Sequence, residues 1–443
     1  MTKIFPQPAK LGLGLGIVFL ALAIGCSSGG GDEDGERPGG GGDPSELDDA
    51  EAFDSEGPYS SVLARCIRAS TNGESCSLTE LPLLAMEVDV PEIDDIMQRL
   101  VVSHRWMGER LLEALAQLPV EILDLMGAVT AIVIDDETRP SYYSSRTGAI
   151  YLDPALLWLT NEEKATVSTE PDFRSGFGAD LRFHSLARYV LNDDYAYPFY
   201  PLGGTDEREL EDILYRLAAL LLHELAHAND YFPPSIIADL DPNQSVSQAA
   251  NTWASERISE RLTTDSPLTS DLLFGLAEVM FRGQPPSASQ RALSGADVGA
   301  GFEPDVASDD YNYSTPREDV AMLFEEAMMK YFFDIDRDIA FTQVPAGPAG
   351  CDDYIVEWGN RNRVGDEEVI ARAEFVVTAM LPGLPDSSLF FDELPFPTAM
   401  QTGQGWCSNL QLGAQALSLR AFRADPVELW NERVRMDVGQ PHR

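Results

Sequence analysis

His223-Glu224-Leu225-Ala226-His227-Ala228-Asn229-Asp230 is the stretch around which the sequence is organised. It has the pattern HExxH, with Asp230 three residues beyond the second histidine. Residues four apart on an α-helix share one face, so His223 and His227 can both offer an imidazole nitrogen to one metal ion. Glu224 then stands beside the metal as a general base for a water molecule. Two of the chain's five histidines fall in this motif, which favours a metal site over a chance match.

The residues before the motif predict a long, mostly buried helix. Asp206 and Glu209 form a candidate capping box at its start, and Pro233-Pro234 stop it. Apolar residues recur between them at helical spacing, namely Leu210, Ile213, Leu214, Leu217, Leu220 and Leu221. The motif therefore lies at the C-terminal end of a buried helix, as such a metal site requires.

Two histidines are too few for a catalytic zinc, which usually has three protein ligands and a water. The form HExxHxxGxxH is absent, because residues 230 and 233 are Asp and Pro. The third ligand must therefore come from elsewhere, and we expect it to be a carboxylate on another helix. Residues 311–321 (YNYSTPREDVA) supply one, at the start of a helix predicted over residues 316–332.

Together, HELAHANDY and YNYSTPREDVAMLFEEAM resemble the gluzincin pattern HExxHxxD…Yx6ExxA of lethal-factor-like metallopeptidases and related bacterial lipoproteins. In that family the Glu of ExxA is the third zinc ligand, and the Tyr seven residues earlier stabilises the oxyanion. By position, these residues are Glu318 and Tyr311. The family often has a Glu four residues after the ligand Glu, where this chain has Met322.

The resemblance implies one Zn²⁺ ion bound by His223, His227 and Glu318, with Glu224 and Tyr311 as catalytic residues. It also implies a zincin-like core, in which a small sheet lies beside an active-site helix. We therefore expect a predominantly helical α+β fold and a zinc metallopeptidase, an endopeptidase rather than an exopeptidase. A non-catalytic metal-binding surface lipoprotein and a zinc hydrolase of non-peptide substrates are the alternatives.

Several of these residues have a second interpretation. Glu318 could instead be the capping-box partner of Thr315, and Tyr313 is an alternative to Tyr311 as the oxyanion donor. Asp230 lies on the helix face of the two histidines, where we expect it to accept a hydrogen bond from an imidazole N–H. Glu325 shares a face with Glu318 and is a second candidate for such a role.

The first 25 residues have the features of an export signal. Two lysines precede an apolar run over residues 11–25, and the sequence Gly25-Cys26 ends it. This junction resembles a bacterial lipobox, which implies lipidation of Cys26, and Ser27 resembles the outer-membrane sorting signal. We expect an exported lipoprotein that is anchored to the membrane by its lipid. The alternative is an ordinary secretory signal with an incidental cysteine.

Charge and cysteine content limit the other possibilities. A formal charge of −42 argues against a nucleic-acid partner, because no basic surface offsets phosphate repulsion. The expected partner is instead a peptide or protein substrate. Four cysteines remain after Cys26, an even number that indicates two disulfides in an exported protein. Proximity favours Cys66–Cys76 and Cys351–Cys407, and the other two connectivities stay open.

Composition divides the chain after the signal peptide into a flexible Gly-rich acidic tether and three folded regions. Residues 128–135 and 147–152 read as strands, the latter as a sheet edge for an extended peptide. Residues 180–192 read as a helix. The expected divisions are the tether at 26–57, a helical subdomain at 58–127, the catalytic region at 128–340 and a C-terminal region at 341–443.

Overall fold

The computed structural model of the protein describes Leu47, residues 49–347 and residues 349–412. The expected signal peptide, Cys26, most of the tether and the end of the C-terminal region lie outside the described residues. Among the described residues, none of the helices combines the length and the apolar composition needed to span a membrane.

Helices predominate in the described part of the chain. They are α1 Ser60–Cys66, α2 Ile93–Met97, α3 Arg105–Leu115, α4 Glu121–Leu125, α5 Asn161–Lys164, α6 Leu210–Tyr231, α7 Val246–Thr252, α8 Ile258–Asp265, α9 Asp271–Met280, α10 Gly295–Phe302, α11 Pro316–Phe333, α12 Glu367–Met380 and α13 Ser387–Glu393.

The strands form two small sheets. They are β1 Glu51–Ala52, β2 Leu100–Val102, β3 Ala131–Ile134, β4 Tyr142–Ser144, β5 Ala149–Leu152, β6 Phe183–Leu191, β7 Asp194–Tyr195, β8 Asp336–Gln343, β9 Val356–Arg361 and β10 Thr398–Ala399. The expected α+β class with a helical majority is confirmed.

The first sheet has the strand order β1-β2-β3-β5-β4. Strands β2, β3 and β5 run parallel, whereas β1 and β4 run antiparallel to their neighbours. The predicted strands at 128–135 and 147–152 are β3 and β5. However, β5 lies between β3 and β4, so the expectation that it forms the sheet edge is wrong. The edge on this side is the three-residue β4, which is too short to recognise from sequence.

This sheet also crosses the expected region boundaries. Glu51–Ala52, within the expected tether, forms β1 against β2. Strand β2 interrupts the helical stretch expected before residue 128, and it pairs with β3 from the expected catalytic region. The residues assigned to a separate helical subdomain therefore share a sheet with the catalytic region.

The second sheet is antiparallel, with the order β10-β9-β8-β6-β7. Strand β6 pairs with β8 from Phe183↔Gln343 to Val190↔Asp336. The helix expected at 180–192 is therefore wrong. Both faces of β6 are covered, because Phe183 and Leu186 enter different apolar clusters. A strand that is buried on both faces does not alternate apolar and polar residues, so its period is ambiguous.

Helix α6 is the centre of the molecule. Glu209 is its N-cap and forms a capping box with Asp212, one turn later than the expected Asp206 and Glu209 pair. The helix ends at Tyr231, ahead of Pro233-Pro234. It packs against β4 and β5 on one side and against α11 on another. The largest apolar cluster joins these elements and includes Ile132, Ile150, Leu221, Leu225, Leu323 and Phe324.

Both expected disulfides are present. Cys66 and Cys76 have Cα atoms 5.5 Å apart, and Cys351 and Cys407 have Cα atoms 5.6 Å apart. The first bond links α1 to the loop that follows it. The second ties the segment before β9 to the segment after β10. The pairing favoured by proximity in the sequence is therefore confirmed.

Candidate metal centre

The packing of α6 on α11 brings His223, His227 and Glu318 together in the core. The imidazole centroids of the two histidines are 4.9 Å apart, one helical turn along α6. Oε2 of Glu318 lies 3.1 Å from Nε2 of His223 and 3.3 Å from Nε2 of His227. All three residues are buried, and their three ligand atoms lie within 4.8 Å of one another. Such a convergent N, N, O set has the composition of a zinc site.

The start of α11 fixes the position of Glu318. Thr315 is the N-cap, and its Oγ1 accepts hydrogen bonds from the backbone N–H groups of Arg317, at 3.2 Å, and Glu318, at 3.1 Å. Pro316 occupies the first turn, where its missing N–H costs nothing. The Glu318 side chain turns to the two histidines instead of back to Thr315. The alternative interpretation of Glu318 as a capping-box partner is therefore wrong.

Glu325 contacts the ring nitrogen of His223 that faces away from Glu318. Its Oε2 lies 2.8 Å from Nδ1 of His223, and its Oε1 accepts a 2.6 Å hydrogen bond from the Tyr189 hydroxyl. A proton on Nδ1 that donates to Glu325 leaves Nε2 facing Glu318, the arrangement that a metal-binding imidazole needs. Glu325 is seven residues beyond Glu318, two helical turns along the same face. Met322, one turn beyond Glu318, is buried in the core.

Asp230 has a different partner from the one expected. Its Oδ1 accepts a 2.7 Å hydrogen bond from the Ser259 N–H, and its Oδ2 accepts one of 2.7 Å from the Ser259 hydroxyl. Ser259 lies in the first turn of α8, so Asp230 fastens this helix to the end of α6. The expected hydrogen bond from an imidazole N–H to Asp230 is therefore wrong. Burial is the largest effect on the Asp230 carboxyl and raises its pKa, although the hydrogen bonds from Ser259 and the nearby charge of Arg317 oppose this rise.

Glu224 is buried beside the three candidate ligands. Within the described residues, neither of its carboxylate oxygens has a hydrogen-bond partner. Nε2 of His227 has none either, because its approach to Glu318 lacks hydrogen-bond geometry. Buried polar atoms in folded proteins nearly always have partners. These orphaned atoms fit a centre that takes a metal ion and a water molecule.

The electrostatics of the centre also suit a cation. Burial disfavours protonation of His223, but Glu318 and Glu325 outweigh burial and raise the pKa of His223 to about 10. Burial alone would raise the pKa of Glu318, yet the neighbouring His227 and His223 hold it well below its usual range. For Glu224, burial raises the pKa well above its usual range; the charge on His223 opposes this, and Glu318 and Glu325 add to it. The surroundings of the histidines therefore stabilise positive charge at this point.

The two candidate tyrosines lie in a short turn before α11, and they point to different partners. The Tyr311 ring stacks near His223, with centroids 6.3 Å apart and an interplanar angle of 20°. The Tyr313 hydroxyl donates a 2.9 Å hydrogen bond to Asp305. Of the two candidate tyrosines, Tyr311 is therefore the one beside His223. Asp309 caps the turn by accepting a 3.0 Å hydrogen bond from the Tyr311 N–H, a contribution that sequence reasoning missed.

Strand β4 runs along this centre. The backbone of Tyr143 is close to the Glu224 carboxylate, and the Tyr143 ring packs 5.7 Å from that of Tyr231, at the end of α6. Because β4 is the last strand of the first sheet, its outer edge is the place where an extended chain could add to that sheet.

No family model, curated protein or solved structure matched the chain.

Proposed function

We propose that the protein is a zinc-dependent metallopeptidase with one Zn²⁺ held by His223, His227 and Glu318. The observation that carries this proposal is the approach of Glu318 Oε2 to both Nε2 atoms, at 3.1 and 3.3 Å, in the core of the protein. Three protein ligands leave the fourth position of a tetrahedral zinc open, which distinguishes catalytic from structural sites. When bound, the zinc supplies a Lewis acid that polarises a carbonyl and lowers the pKa of a water.

Glu224 is the general base in this proposal. It follows His223 directly in the sequence, and its two carboxylate oxygens are free of partners among the described residues. Glu224 takes the proton of the attacking water and delivers it to the leaving amine.

Tyr311 and Glu325 assist in different ways. The Tyr311 hydroxyl donates to the oxyanion as it forms, and the loss of one such donor costs about 3 kcal/mol of transition-state stabilisation. Glu325 holds His223 by its Nδ1, at 2.8 Å, so that Nε2 is directed at the metal. The role of Asp230 is indirect. Its two hydrogen bonds from Ser259 fix the end of α6, which carries the two histidines, to α8.

The position of β4 at the edge of the first sheet is the reason to propose an extended peptide as the substrate. Backbone hydrogen bonds to Tyr142–Ser144 would hold such a peptide beside Glu224. An edge strand binds an internal segment of a chain as well as an end, which favours endopeptidase activity. Two disulfides support an exported protein, and the proposed lipid on Cys26 anchors it in the outer membrane.

The test is cleavage of a broad peptide library by the zinc-loaded protein, with Glu224→Gln as the diagnostic variant. We expect the wild type to cleave and Glu224→Gln to bind zinc equally but lose cleavage. Glu211→Gln is the matched control, because Glu211 is exposed on the same helix, and it should behave as wild type. Equal cleavage by Glu224→Gln would refute the proposed base. A zinc-loaded wild type that cleaves nothing would instead favour the non-catalytic metal-binding lipoprotein.

A further inference from the structure

The short turn Asp310–Tyr313, which carries Tyr311, is held at its start by Asp309. Oδ1 of Asp309 accepts a 3.0 Å hydrogen bond from the Tyr311 N–H. The Asp309 N–H in turn donates to Oδ1 of Asn312 at 2.8 Å. Such a reciprocal pair of hydrogen bonds fixes the first turn of a helix. The backbone position of Tyr311 therefore depends on Asp309.

The second carboxylate oxygen of Asp309 is bonded to a different element. Oδ2 accepts a 2.8 Å hydrogen bond from Nε of Arg337, in β8. Asp309 is buried, and burial would raise the pKa of its carboxyl, but the charge of Arg337 helps to hold that pKa below its usual range. Glu325 and Glu326 also stabilise the charge of Arg337. The ion pair of Asp309 and Arg337 therefore fastens the turn to the second sheet.

Arg337 continues this chain of contacts to the other side of the metal centre. Its guanidinium lies 5.0 Å from the centroid of the Tyr189 ring. The Tyr189 hydroxyl donates to Glu325 at 2.6 Å, and Glu325 contacts Nδ1 of His223 at 2.8 Å. A single arginine therefore contacts both the carboxylate that holds the turn, Asp309, and the tyrosine that holds Glu325.

The Tyr311 ring is packed between two other rings. Its centroid lies 6.3 Å from that of the His223 imidazole and 4.9 Å from that of the Phe281 ring. Tyr311 is buried, so its ring has little room to move independently of its backbone. The position of its hydroxyl consequently depends on the position of the turn. Displacement of a catalytic group by about 1 Å can cost on the order of 100-fold in rate.

We infer that Asp309 is a positioning residue of the proposed peptidase, and that its ion pair with Arg337 places the Tyr311 hydroxyl at the oxyanion. Asp309 does not contact the substrate in this inference, since each of its oxygens accepts a hydrogen bond from within the protein. The inference rests on the proposed function, in which Tyr311 donates to the oxyanion. It gives the ion pair a role in kcat in addition to its role in stability.

The first experiment is a double-mutant cycle between Asp309 and Tyr311 in the zinc-loaded protein. Asp309→Asn keeps a good N-cap but removes the charge that attracts Arg337. We expect it to lower kcat for a fluorogenic peptide about tenfold, at unchanged KM and zinc content, because the oxyanion donor is displaced and not removed. In the Tyr311→Phe background the same substitution should cause no further loss, because the hydroxyl that Asp309 positions is absent.

Variants of Arg337 repeat the cycle without changing the hydrogen bonds of Asp309 to the turn. Arg337→Gln breaks the ion pair from its other end and should lower kcat to a similar extent. Arg337→Lys retains a cation opposite Asp309 and should restore part of kcat. The matched control is Asp366→Asn at the N-cap of α12, where the side chain accepts a 3.1 Å hydrogen bond from the Glu368 N–H. This control should retain the kcat of the wild type.

The second experiment measures binding instead of turnover. A phosphinic peptide carries a tetrahedral phosphorus that mimics the oxyanion intermediate, so its affinity reports on the oxyanion donor. Isothermal titration calorimetry should show about tenfold weaker binding of this peptide to Asp309→Asn than to the wild type. In the Tyr311→Phe background, Asp309→Asn should not weaken binding further.

An equal loss of kcat in the two backgrounds, or no loss in either, would overturn the inference and leave the peptidase function standing. Asp309 would then stabilise the fold without positioning Tyr311. No cleavage of any peptide by the zinc-loaded wild type would instead overturn the peptidase function, and the inference with it.

Discussion

Nδ1 of His223 lies 2.8 Å from Oε2 of Glu325, across 102 residues of sequence. This contact joins α6 to α11 directly behind the proposed zinc ligands. It orients the imidazole, and the Tyr189 hydroxyl holds the other oxygen of Glu325 at 2.6 Å. Glu325 therefore makes the contact with an imidazole nitrogen that the sequence analysis expected of Asp230.

Removal of Glu325 should weaken zinc binding without removing a ligand. We expect Glu325→Ala to raise the zinc Kd by 10- to 100-fold, as is typical when the partner of a metal-binding histidine is lost, on the order of 1 to 3 kcal/mol. Tyr189→Phe, which removes only the hydroxyl, should have a smaller effect. Competition with a chromophoric chelator measures both constants. An unchanged Kd for Glu325→Ala would show that Glu325 does not orient His223.

Substitutions of the two tyrosines before α11 should have different effects, one on catalysis and the other on stability. Tyr311→Phe should lower kcat by about 100-fold at unchanged zinc content, because one oxyanion donor is lost. Tyr313→Phe should retain kcat but lower the free energy of unfolding by about 1 kcal/mol, since it loses the hydrogen bond to Asp305. Steady-state kinetics and urea unfolding of both variants test this. A loss of kcat in Tyr313→Phe alone would reverse the assignment.

Asp135, which follows β3, should make stability depend on pH. Burial is the largest effect, and it raises the pKa of this carboxyl to about 6 from the usual 3.8. The folded state therefore binds the proton more tightly than the unfolded state, so ionisation costs stability as the pH rises through this range. Asp135→Asn cannot ionise, and its Oδ1 can still accept from the Glu137 N–H, now at 3.1 Å.

We expect Asp135→Asn to exceed the wild type in unfolding free energy by about 1 to 2 kcal/mol at pH 8, after allowance for solvent screening. The difference should shrink between pH 6 and pH 4 and vanish below it. Urea unfolding at several pH values measures the difference, with Asp136→Asn as the neighbouring control. A difference that is the same at pH 4 and pH 8 would contradict the raised pKa.

The two disulfides should differ in their contribution to stability. They close loops with sequence separations of 10 and 56 residues. Loop-closure entropy gives about 3 kcal/mol for Cys66–Cys76 and about 4 kcal/mol for Cys351–Cys407. The double Cys→Ser variant of the second pair should therefore unfold at the lower urea concentration. The opposite order of midpoints would argue against an entropic origin.

The features that were predicted best from the sequence are those that depend on one helix alone. The spacing of His223 and His227 needs only the helical repeat, and the stop at Pro233-Pro234 is a local effect. Glu318 was identifiable because its segment resembles a family pattern. Even so, its approach to the two histidines depends on how α6 packs on α11, which the structure provides.

Contacts between distant segments were the least predictable. Asp230 meets Ser259 because α8 folds back on α6, and nothing in the spacing of the motif indicates that partner. Strand order was also unpredictable. The sequence identifies β5 as a strand, but it does not reveal that β4 pairs with the outer side of β5. Strand β6 was mistaken for a helix because both of its faces are buried.

The measurement that bears most directly on the proposed zinc site is metal content by elemental analysis after zinc loading and dialysis. We expect about one zinc ion per chain for the wild type and for the exposed control Glu211→Gln. His227→Ala and Glu318→Ala, each folded by circular dichroism, should retain far less. A wild type without zinc, or ligand variants that still hold one ion per chain, would contradict the assignment of His223, His227 and Glu318 as the zinc ligands.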